Sequence, residues 1–188
     1  MTFINFHTHR PAYSDERVIQ DGVDTWGIHP WHAHGDFQFD NPNILAVGEC
    51  GLDHACATPW EVQLSAFQRC ISLSEQLHKP LILHCVRALD DCLLLRRRLS
   101  ARQPWIYHGF RGSERKLAHL LDAGLYACFG FHFMEDAVKA CPPDRLLLES
   151  DKDERNVREL YHKVSRLRGI SLESLCLQME ANYHTLIP

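Results

Sequence analysis

Two histidines two residues apart follow the first apolar run of the chain. His7 and His9 come after residues 3–6, and side chains two apart in a strand lie on the same face, so both imidazoles can enter one cavity. A pair of this kind can clip a metal ion, although a single HxH also arises by chance. The pair therefore predicts a metal site only if further ligands meet it.

Four more potential ligands stand at the ends of apolar runs, namely Glu49, His84, His108 and Asp151. Because the carboxyl ends of parallel strands meet at one edge of a β/α fold, we expect all six side chains to converge. A buried histidine or a helix-capping acid explains any single member, but that explanation needs six coincidences. Six ligands exceed what one four-coordinate ion needs, so they predict two divalent ions, zinc, magnesium or manganese, that share a carboxylate.

The elements that must position these residues alternate between strands and helices. Strands are predicted at residues 3–6, 25–28, 44–47, 81–83, 105–107, 125–129 and 146–148, with a possible eighth at 17–20. Helices are predicted from a capping-box start at Thr58 to Leu77, over 88–102, from a Ser113 cap to Gly124, and from Ser171 to near Tyr183. Continuously apolar strands between amphipathic helices indicate an α/β fold with a parallel sheet.

The composition limits the class of protein. A chain of 188 residues that is 45% hydrophobic predicts a single domain over 1–188. It shows neither signal-peptide features nor a membrane-length apolar run, so we expect a cytoplasmic protein without membrane contact. The eight cysteines form no CxxC pair and are expected to be reduced thiols. A net charge of −4 gives no whole-molecule attraction to nucleic acid, and we expect a monomer.

Several motifs resemble those of TatD-type metal-dependent deoxyribonucleases. They occur in the family's order: HTH at 7–9, GIHP at 27–30, GECGLD at 48–53, LHC at 83–85, HGF at 108–110 and ESD at 149–151. The resemblance implies a trimmed TIM-type (β/α) barrel of the amidohydrolase-like superfamily that holds two divalent ions. It places His7, His9, Glu49 and Asp151 on one ion. It places Glu49, His84 and His108 on the other, with Glu49 as the bridge.

The sequence departs from the family pattern in three places. Only residues 10–24 separate HTH from GIHP, where a family member has a whole βα unit, so at least one helix is expected to be missing. Asp151 is followed by Lys152-Asp153-Glu154 instead of an apolar, proline-rich loop. Arg87 lies one position away from the arginine of the family's His-x-Arg pattern. The last two changes concern substrate contacts more than metal ligands.

The function expected from these features is metal-dependent hydrolysis of DNA, at single strands or ends. Asp151 and the bridging Glu49 are the expected catalytic residues, with Asp151 accepting the proton of a metal-activated water. His29, in GIHP, is predicted to contact substrate or to hydrogen-bond a metal ligand. Arg111 is predicted to clamp a phosphate, with a surface salt bridge as its alternative.

Other interpretations stay open at this level. Trp31, Phe110, Phe131 and Phe133 could stack unpaired bases or simply pack. The same metal site could instead hydrolyse a small amide, lactone or phosphoester, because fold does not fix function. A third reading is a non-catalytic scaffold that a metal stabilises.

Overall fold

The computed structural model describes residues 1–35 and 37–187. Eight strands occur in these residues: β1 (Phe3–Thr8), β2 (Glu16–Gln20), β3 (Thr25–Trp26), β4 (Ala46–Asp53), β5 (Leu81–Val86), β6 (Trp105–Tyr107), β7 (Tyr126–Phe129) and β8 (Leu146–Leu148). Six α-helices accompany them: α1 (Trp60–Leu77), α2 (Leu89–Arg98), α3 (Glu114–Asp122), α4 (Glu135–Ala140), α5 (Val157–Arg168) and α6 (Leu172–Leu186). None of the described helices is long and apolar enough to cross a membrane.

The chain divides into two compact units. Unit 1 comprises residues 1–20 with the chain from His108 onward, and unit 2 comprises residues 21–107. Unit 1 contains β1, β2, β7, β8 and α3 to α6, whereas unit 2 contains β3 to β6, α1 and α2. The expectation of a single domain over 1–188 stays a prediction.

Unit 1 is built around the fully buried strand β1. This strand pairs in parallel with β2, and β7 pairs in parallel with β8. Tyr161 of α5 fixes the covering helix to β1, because its hydroxyl donates to the Ile4 carbonyl at 2.8 Å and accepts from the Ile4 amide at 3.0 Å. Burial raises the pKa of Tyr161 well above its usual value, so this hydroxyl keeps its proton.

Unit 2 is a four-stranded parallel sheet in the order β3-β4-β5-β6. Helix α1 covers it with an apolar face that includes Phe67, which lies 5.5 Å from the buried Trp105 ring. Gln63 of α1 ties the helix start to the end of β4. Its side chain accepts from the Asp53 amide at 2.8 Å and donates to the Asp53 carbonyl at 3.1 Å.

All seven predicted strands are present, and residues 16–20 form the possible eighth. Strand β4 differs most, because it starts at Ala46 and continues to Asp53 instead of ending at residue 47. The glycines of GECG did not stop it, since Cys50 to Asp53 continue to pair with β5. Glu49 and His84 therefore lie inside strands and do not follow them.

The helix predictions needed four corrections. The predicted Ser113 cap is wrong in one respect, since Ser113 lies at the N-cap of α3 but makes no side-chain capping hydrogen bond. The capping box at Thr58 is wrong: α1 begins after Pro59 without a side-chain cap, and the Thr58 carbonyl is taken up by Gln63. Helix α2 ends at Arg98, four residues early, where the backbone turns and Ser100 takes a positive φ of 51°. Helices α4 and α5 were missed, the first because it has only six residues. The expected loss of a helix between HTH and GIHP is confirmed, since described residues 9–24 hold only β2.

Candidate metal-binding groups

Unit 1 brings together His7, His9, His108 and Asp151, which we call the unit 1 group. Ligand atoms of His7, His108 and Asp151 all lie within 4.8 Å of one another. The Asp151 Oδ1 atom is 3.3 Å from His9 Nε2 and 3.8 Å from His7 Nε2. His7 is fully buried, whereas the His9 and Asp151 side chains are 29% and 30% exposed. The group therefore has a buried floor and a solvent-accessible side.

Backbone pairing sets the spacing of this group. The Asp151 amide donates to the His7 carbonyl at 3.0 Å, and the His9 amide donates to the Asp151 carbonyl at 3.0 Å. Thr8 and Asp151 thus form a parallel β-bridge, which joins the end of β1 to the segment that follows β8. Asp151 has a φ of 54°, a left-handed conformation that aspartate tolerates better than most residues. Two histidines and one carboxylate are consequently held in register by main-chain bonds.

Asn5 and Ser150 support the same junction with buried side chains. Asn5 Nδ2 donates to Ser150 Oγ at 2.9 Å, and the Ser150 amide donates to Asn5 Oδ1 at 3.0 Å. Ser150 Oγ in turn donates to Thr8 Oγ1 at 3.1 Å. The small polar residue before Asp151 is therefore part of the strand junction.

Glu149 holds the loop that carries His108. Its fully buried carboxylate accepts from the Gly109 amide at 2.6 Å, and the same oxygen lies 3.4 Å from His108 Nδ1. Burial, with the nearby Glu149 carboxylate adding to it, raises the pKa of the Cys128 thiol well above its usual value. Cys128 is thus a protonated core thiol and not a candidate thiolate ligand.

Unit 2 places His84 between two carboxylates, and we call Glu49, Asp53 and His84 the unit 2 group. His84 Nδ1 lies 2.7 Å from Glu49 Oε1, and His84 Nε2 lies 3.2 Å from Asp53 Oδ2. Glu49 and Asp53 are four residues apart on β4 and share a face. Gly51, between them, pairs with His84, and a side chain at Gly51 would collide with the His84 carbonyl. The glycine therefore allows the close strand approach that this arrangement needs.

Asp53 is an ionised hydrogen-bond acceptor. Burial acts to raise the pKa of Asp53, but hydrogen bonds from Trp31 Nε1 at 2.6 Å, from the Ala55 amide at 2.7 Å and from His84 outweigh it and lower the pKa. Asp53 and Glu49 thus offer an acceptor to each ring nitrogen of His84. In the tautomer that donates from Nε2 to Asp53, His84 Nδ1 is the ring nitrogen with a lone pair for a cation.

His29 lies beside this group but has a different hydrogen-bond role. Its Nδ1 accepts from the Trp31 amide at 3.1 Å, which places the proton of the neutral ring on Nε2. That Nε2 lies 3.2 Å from Glu49 Oε1. His29 therefore donates to a candidate ligand, one of the two roles expected for it, and its contact with substrate stays a prediction.

The donor sets fit a divalent ion. Imidazole nitrogens and carboxylate oxygens suit zinc or manganese. Ligands at about 2.0–2.2 Å around a tetrahedral ion are about 3.3–3.6 Å apart, close to the 3.3 and 3.8 Å separations in the unit 1 group. The structure brings four of the six predicted ligands together in unit 1 and the other two, Glu49 and His84, in unit 2. His108, which the resemblance placed with Glu49 and His84, instead has a ligand atom within 4.8 Å of those of His7 and Asp151. That these six residues bind metal stays a prediction.

A cavity of about 260 Å³ in unit 1 adjoins Asp151. Arg111, Phe131, Lys152 and Asp153 contribute to its wall. Arg111 is exposed and forms no ion pair with any residue in the described ranges, so the surface salt bridge considered for it is absent. Its role as a phosphate clamp stays a prediction.

Sequence reasoning missed the supporting residues around the ligands. Asp53 ends the GECGLD motif on the same face as Glu49, so a period of two along one longer strand could have found it. Nothing local to Asn5 or Glu149 signals their contacts, which join residues 40 to 145 positions apart. Phe110 is buried and packs against Phe129 at 5.5 Å, so the packing interpretation holds for it.

A parallel α/β architecture with histidine and carboxylate groups on its strands and directly after them is typical of barrel-type metal-dependent hydrolases. Comparison with known proteins agrees with this class. The family described as "TatD related DNase" matches residues 12–188. The chain belongs to this family. The matched stretch begins after His7 and His9.

Sequence relatives point the same way. A protein of Edwardsiella piscicida named 3'-5' ssDNA/RNA exonuclease TatD is 33% identical over 84% of this chain and 66% of its own length. The protein of the same name from Rahnella sp. is 31% identical over 77% of this chain and 62% of its own length. The chain thus spans about two thirds of the length of these curated relatives.

Solved structures confirm the expected fold class. A TatD family hydrolase of Entamoeba histolytica has a TM-score of 0.67 at 17% identity, covering 77% of this chain and 64% of its own. The TatD homolog YJJV of Escherichia coli K12 has a TM-score of 0.67 at 23% identity, with the same coverage. The shared fold is the TIM-barrel-like α/β fold of metal-dependent hydrolases.

Proposed function

We propose that the protein is a divalent-metal-dependent phosphodiesterase that hydrolyses DNA. The observation that carries the proposal is the unit 1 group, where three imidazoles and the Asp151 carboxylate converge beside a cavity. Main-chain pairing holds Asp151 next to His7 and His9 before any ligand binds. Such preorganised groups lower the cost of aligning a reacting water.

The chemistry assigns separate tasks to the residues of unit 1. His7, His9, His108 and Asp151 would hold an ion, which when bound lowers the pKa of water and stabilises negative charge on a phosphoryl oxygen. Asp151 accepts the proton of the attacking water, because its side chain is the partly exposed carboxylate of the group. Arg111, on the cavity wall, binds a non-bridging phosphate oxygen.

We propose that Glu49 and His84 hold a second divalent ion, so that the chain binds two of zinc, magnesium or manganese. Support comes from the convergence of ligand atoms in unit 2, where one atom each of His29, Glu49 and His84 lie within 4.8 Å of one another. Asp53 acts as a positioning residue, because it accepts from His84 Nε2 and thereby orients the ring. Glu49 remains the second predicted catalytic carboxylate.

The substrate proposal is single-stranded DNA, attacked at its ends. Relatives named 3'-5' ssDNA/RNA exonuclease support a single-stranded nucleic acid. The net charge of −4 means that local cations must supply the attraction, and Arg111 and Lys152 lie at the cavity wall. A small phosphoester is the second candidate, favoured by the modest cavity volume of about 260 Å³.

The test measures metal and activity on the same sample. Elemental analysis should give two divalent ions per chain, and single-stranded DNA should be cleaved when magnesium, manganese or zinc is added. Bound metal with hydrolysis of small phosphoesters alone would favour the second candidate. Bound metal that only stabilises the fold, without any hydrolysis, would support a scaffold. A chain without metal or activity would refute the proposal.

Asp151→Asn sharpens this test. The amide cannot accept the proton, so turnover should fall about 10²- to 10⁴-fold while much of the metal content remains. Asp144→Asn is the matched control, because Asp144 lies in unit 1 with its side chain 69% exposed and forms an ion pair with the neighbouring Arg145. Undiminished turnover in Asp151→Asn would remove Asp151 from the mechanism.

We also propose that the protein works in the cytoplasm as a monomer. All eight cysteines are free, and most are buried, as is usual for proteins of a reducing compartment. Fractionation of the source cells and light scattering of the purified chain test the two statements.

A further inference from the structure

Trp31 is a large, exposed aromatic side chain beside the unit 2 group. It is 49% exposed, whereas His84, Glu49 and Asp53 next to it are all buried. Its ring centroid lies 4.9 Å from that of His29 and 5.9 Å from that of His84, in both cases nearly perpendicular. An apolar ring of this size is thus presented to solvent within one side-chain length of candidate metal ligands.

Hydrogen bonds hold the indole in a fixed orientation. Its Nε1 donates to Asp53 Oδ2 at 2.6 Å, and the same oxygen accepts from His84 Nε2 at 3.2 Å. The Trp31 amide donates to His29 Nδ1, so the main chain is fixed as well. A flat ring that is already ordered loses little conformational entropy when another flat group stacks on it.

We propose that Trp31 is a stacking subsite for an unpaired nucleobase of the substrate. The inference rests on the proposed nucleic-acid function and deepens it, because it names the part of the substrate that this residue recognises. Every base has an apolar π-face, so stacking tolerates any sequence. A base inside a duplex has both faces covered, so this subsite selects single strands.

The other tryptophans of unit 2 do not offer the same surface. Trp60 is stacked against His54 with ring centroids 4.1 Å apart and planes 10° apart, which covers one of its faces. Trp105 is fully buried, and Trp26 meets Phe39 edge to face at 5.4 Å. Trp60 therefore serves as the matched control, being a tryptophan of the same unit whose stacking position is already taken.

The experiment compares two oligonucleotides on wild type, Trp31→Ala, Trp31→Phe and Trp60→Ala. One is a short single-stranded DNA, and the other is the same strand with abasic residues next to the cleaved bond. Trp31→Ala should raise KM for the normal strand about 5- to 100-fold more than KM for the abasic strand. Both KM values are measured at saturating metal, because the substitution also removes the Nε1 donor to Asp53. Trp31→Phe retains a π-face and should lie closer to wild type, and Trp60→Ala should match wild type.

The outcomes separate this inference from the proposed function. If the ratio of the two KM values is the same in wild type and in Trp31→Ala, the subsite is overturned and the nuclease proposal stands. If wild type cleaves neither strand, the nuclease proposal fails. The subsite is then judged by fluorescence titration with an oligothymidylate. Quenching that disappears in Trp31→Phe supports the subsite, and an absence of quenching in wild type overturns it.

Discussion

The two candidate metal-binding groups are built by different means. In the unit 1 group, three imidazoles surround one carboxylate, and main-chain bonds between His7, His9 and Asp151 fix their register. In the unit 2 group, one imidazole lies between two carboxylates, and the contacts of its two ring nitrogens with Glu49 and Asp53 orient it. The first arrangement is set by the strand junction itself. The second depends on individual side chains.

This difference separates stability from metal affinity. A substitution that leaves the β1 pairing intact should leave His7, His9 and Asp151 in place, because main-chain bonds fix the backbone of these three ligands. A substitution at Asp53 removes a side-chain acceptor from His84 and should act directly on the unit 2 ligands. Each unit can therefore be tested with a variant that moves one property and not the other.

Among the substitutions that test the contrast between the two units, Asp53→Asn should have the largest effect. The amide is similar in size, but it cannot act as an anionic acceptor for both Trp31 Nε1 and His84 Nε2. Loss of that support should weaken metal binding at the unit 2 group about 10- to 100-fold. Titration of the metal-free protein with manganese or zinc should show one weakened site and one unchanged site.

Asp91→Asn is the control for this variant, because Asp91 is a half-exposed aspartate of unit 2 that pairs with His54 at 3.0 Å. It should bind both ions like wild type. If Asp53→Asn also binds both ions like wild type, His84 is oriented without Asp53, and the contrast between the two units is wrong.

In unit 2, the sequence was sufficient to predict which ligands meet, but not how far strand β4 extends. Apolar runs and the spacing of Glu49 and His84 were enough to predict that the two would meet. The extension of β4 to Asp53 was not predictable from propensity, because glycines usually weaken a strand. Here Gly48 and Gly51 are needed for close approach to β5, a tertiary reason that no local pattern carries.

In unit 1 the histidines and Asp151 were predictable, but their support was not. Asn5 and Ser150 are hydrogen-bonded although they are 145 positions apart in the sequence, so only the fold brings them together. The same holds for Glu16, whose carboxylate accepts from the Val157 amide 141 residues away. Residue type indicates ligands well, since few side chains bind metals, whereas many side chains can form a hydrogen bond.

A moderate effect on stability is expected for Glu16→Gln. The buried Glu16 carboxylate accepts from Arg10 Nη1 and Nη2 at 2.8 and 2.9 Å, and from the Val157 amide at 2.9 Å. Glutamine cannot satisfy all of these donors, so unfolding free energy should fall by about 1–3 kcal/mol in urea titrations. Metal affinity at the unit 1 group should not change, because main-chain bonds set its spacing.

The loss should depend on pH in a defined direction. Burial acts to raise the pKa of Glu16, but the bonds from Arg10 and from the main chain outweigh it, so the folded pKa lies below the unfolded value. A depressed carboxyl pKa gives stability that is complete above the unfolded value and disappears as pH falls through the folded one. The gap between wild type and Glu16→Gln should be constant above about pH 5 and shrink below about pH 4.

Glu135→Gln is the control, because Glu135 is 61% exposed and only approaches Lys139 at 4.0 Å. Its stability should equal that of wild type at every pH. A Glu16→Gln gap that persists unchanged at pH 3 would show that packing, and not the ionised carboxylate, accounts for the loss.

The smallest effect is expected for Asp153→Asn, which tests whether the Lys152-Asp153-Glu154 segment only lines the cavity. Asp153 accepts from Arg155 Nε at 2.8 Å, and their side chains are 25% and 47% exposed. An exposed pair of this kind contributes about 0–1 kcal/mol. Because the substitution removes one negative charge from the cavity wall, KM for an anionic substrate should fall by about twofold, at unchanged kcat. The main-chain bonds that hold Asp151 do not involve the Asp153 side chain. Steady-state kinetics would contradict this prediction if kcat fell tenfold. In that case the segment takes part in the chemistry, and main-chain pairing alone does not preserve the unit 1 group.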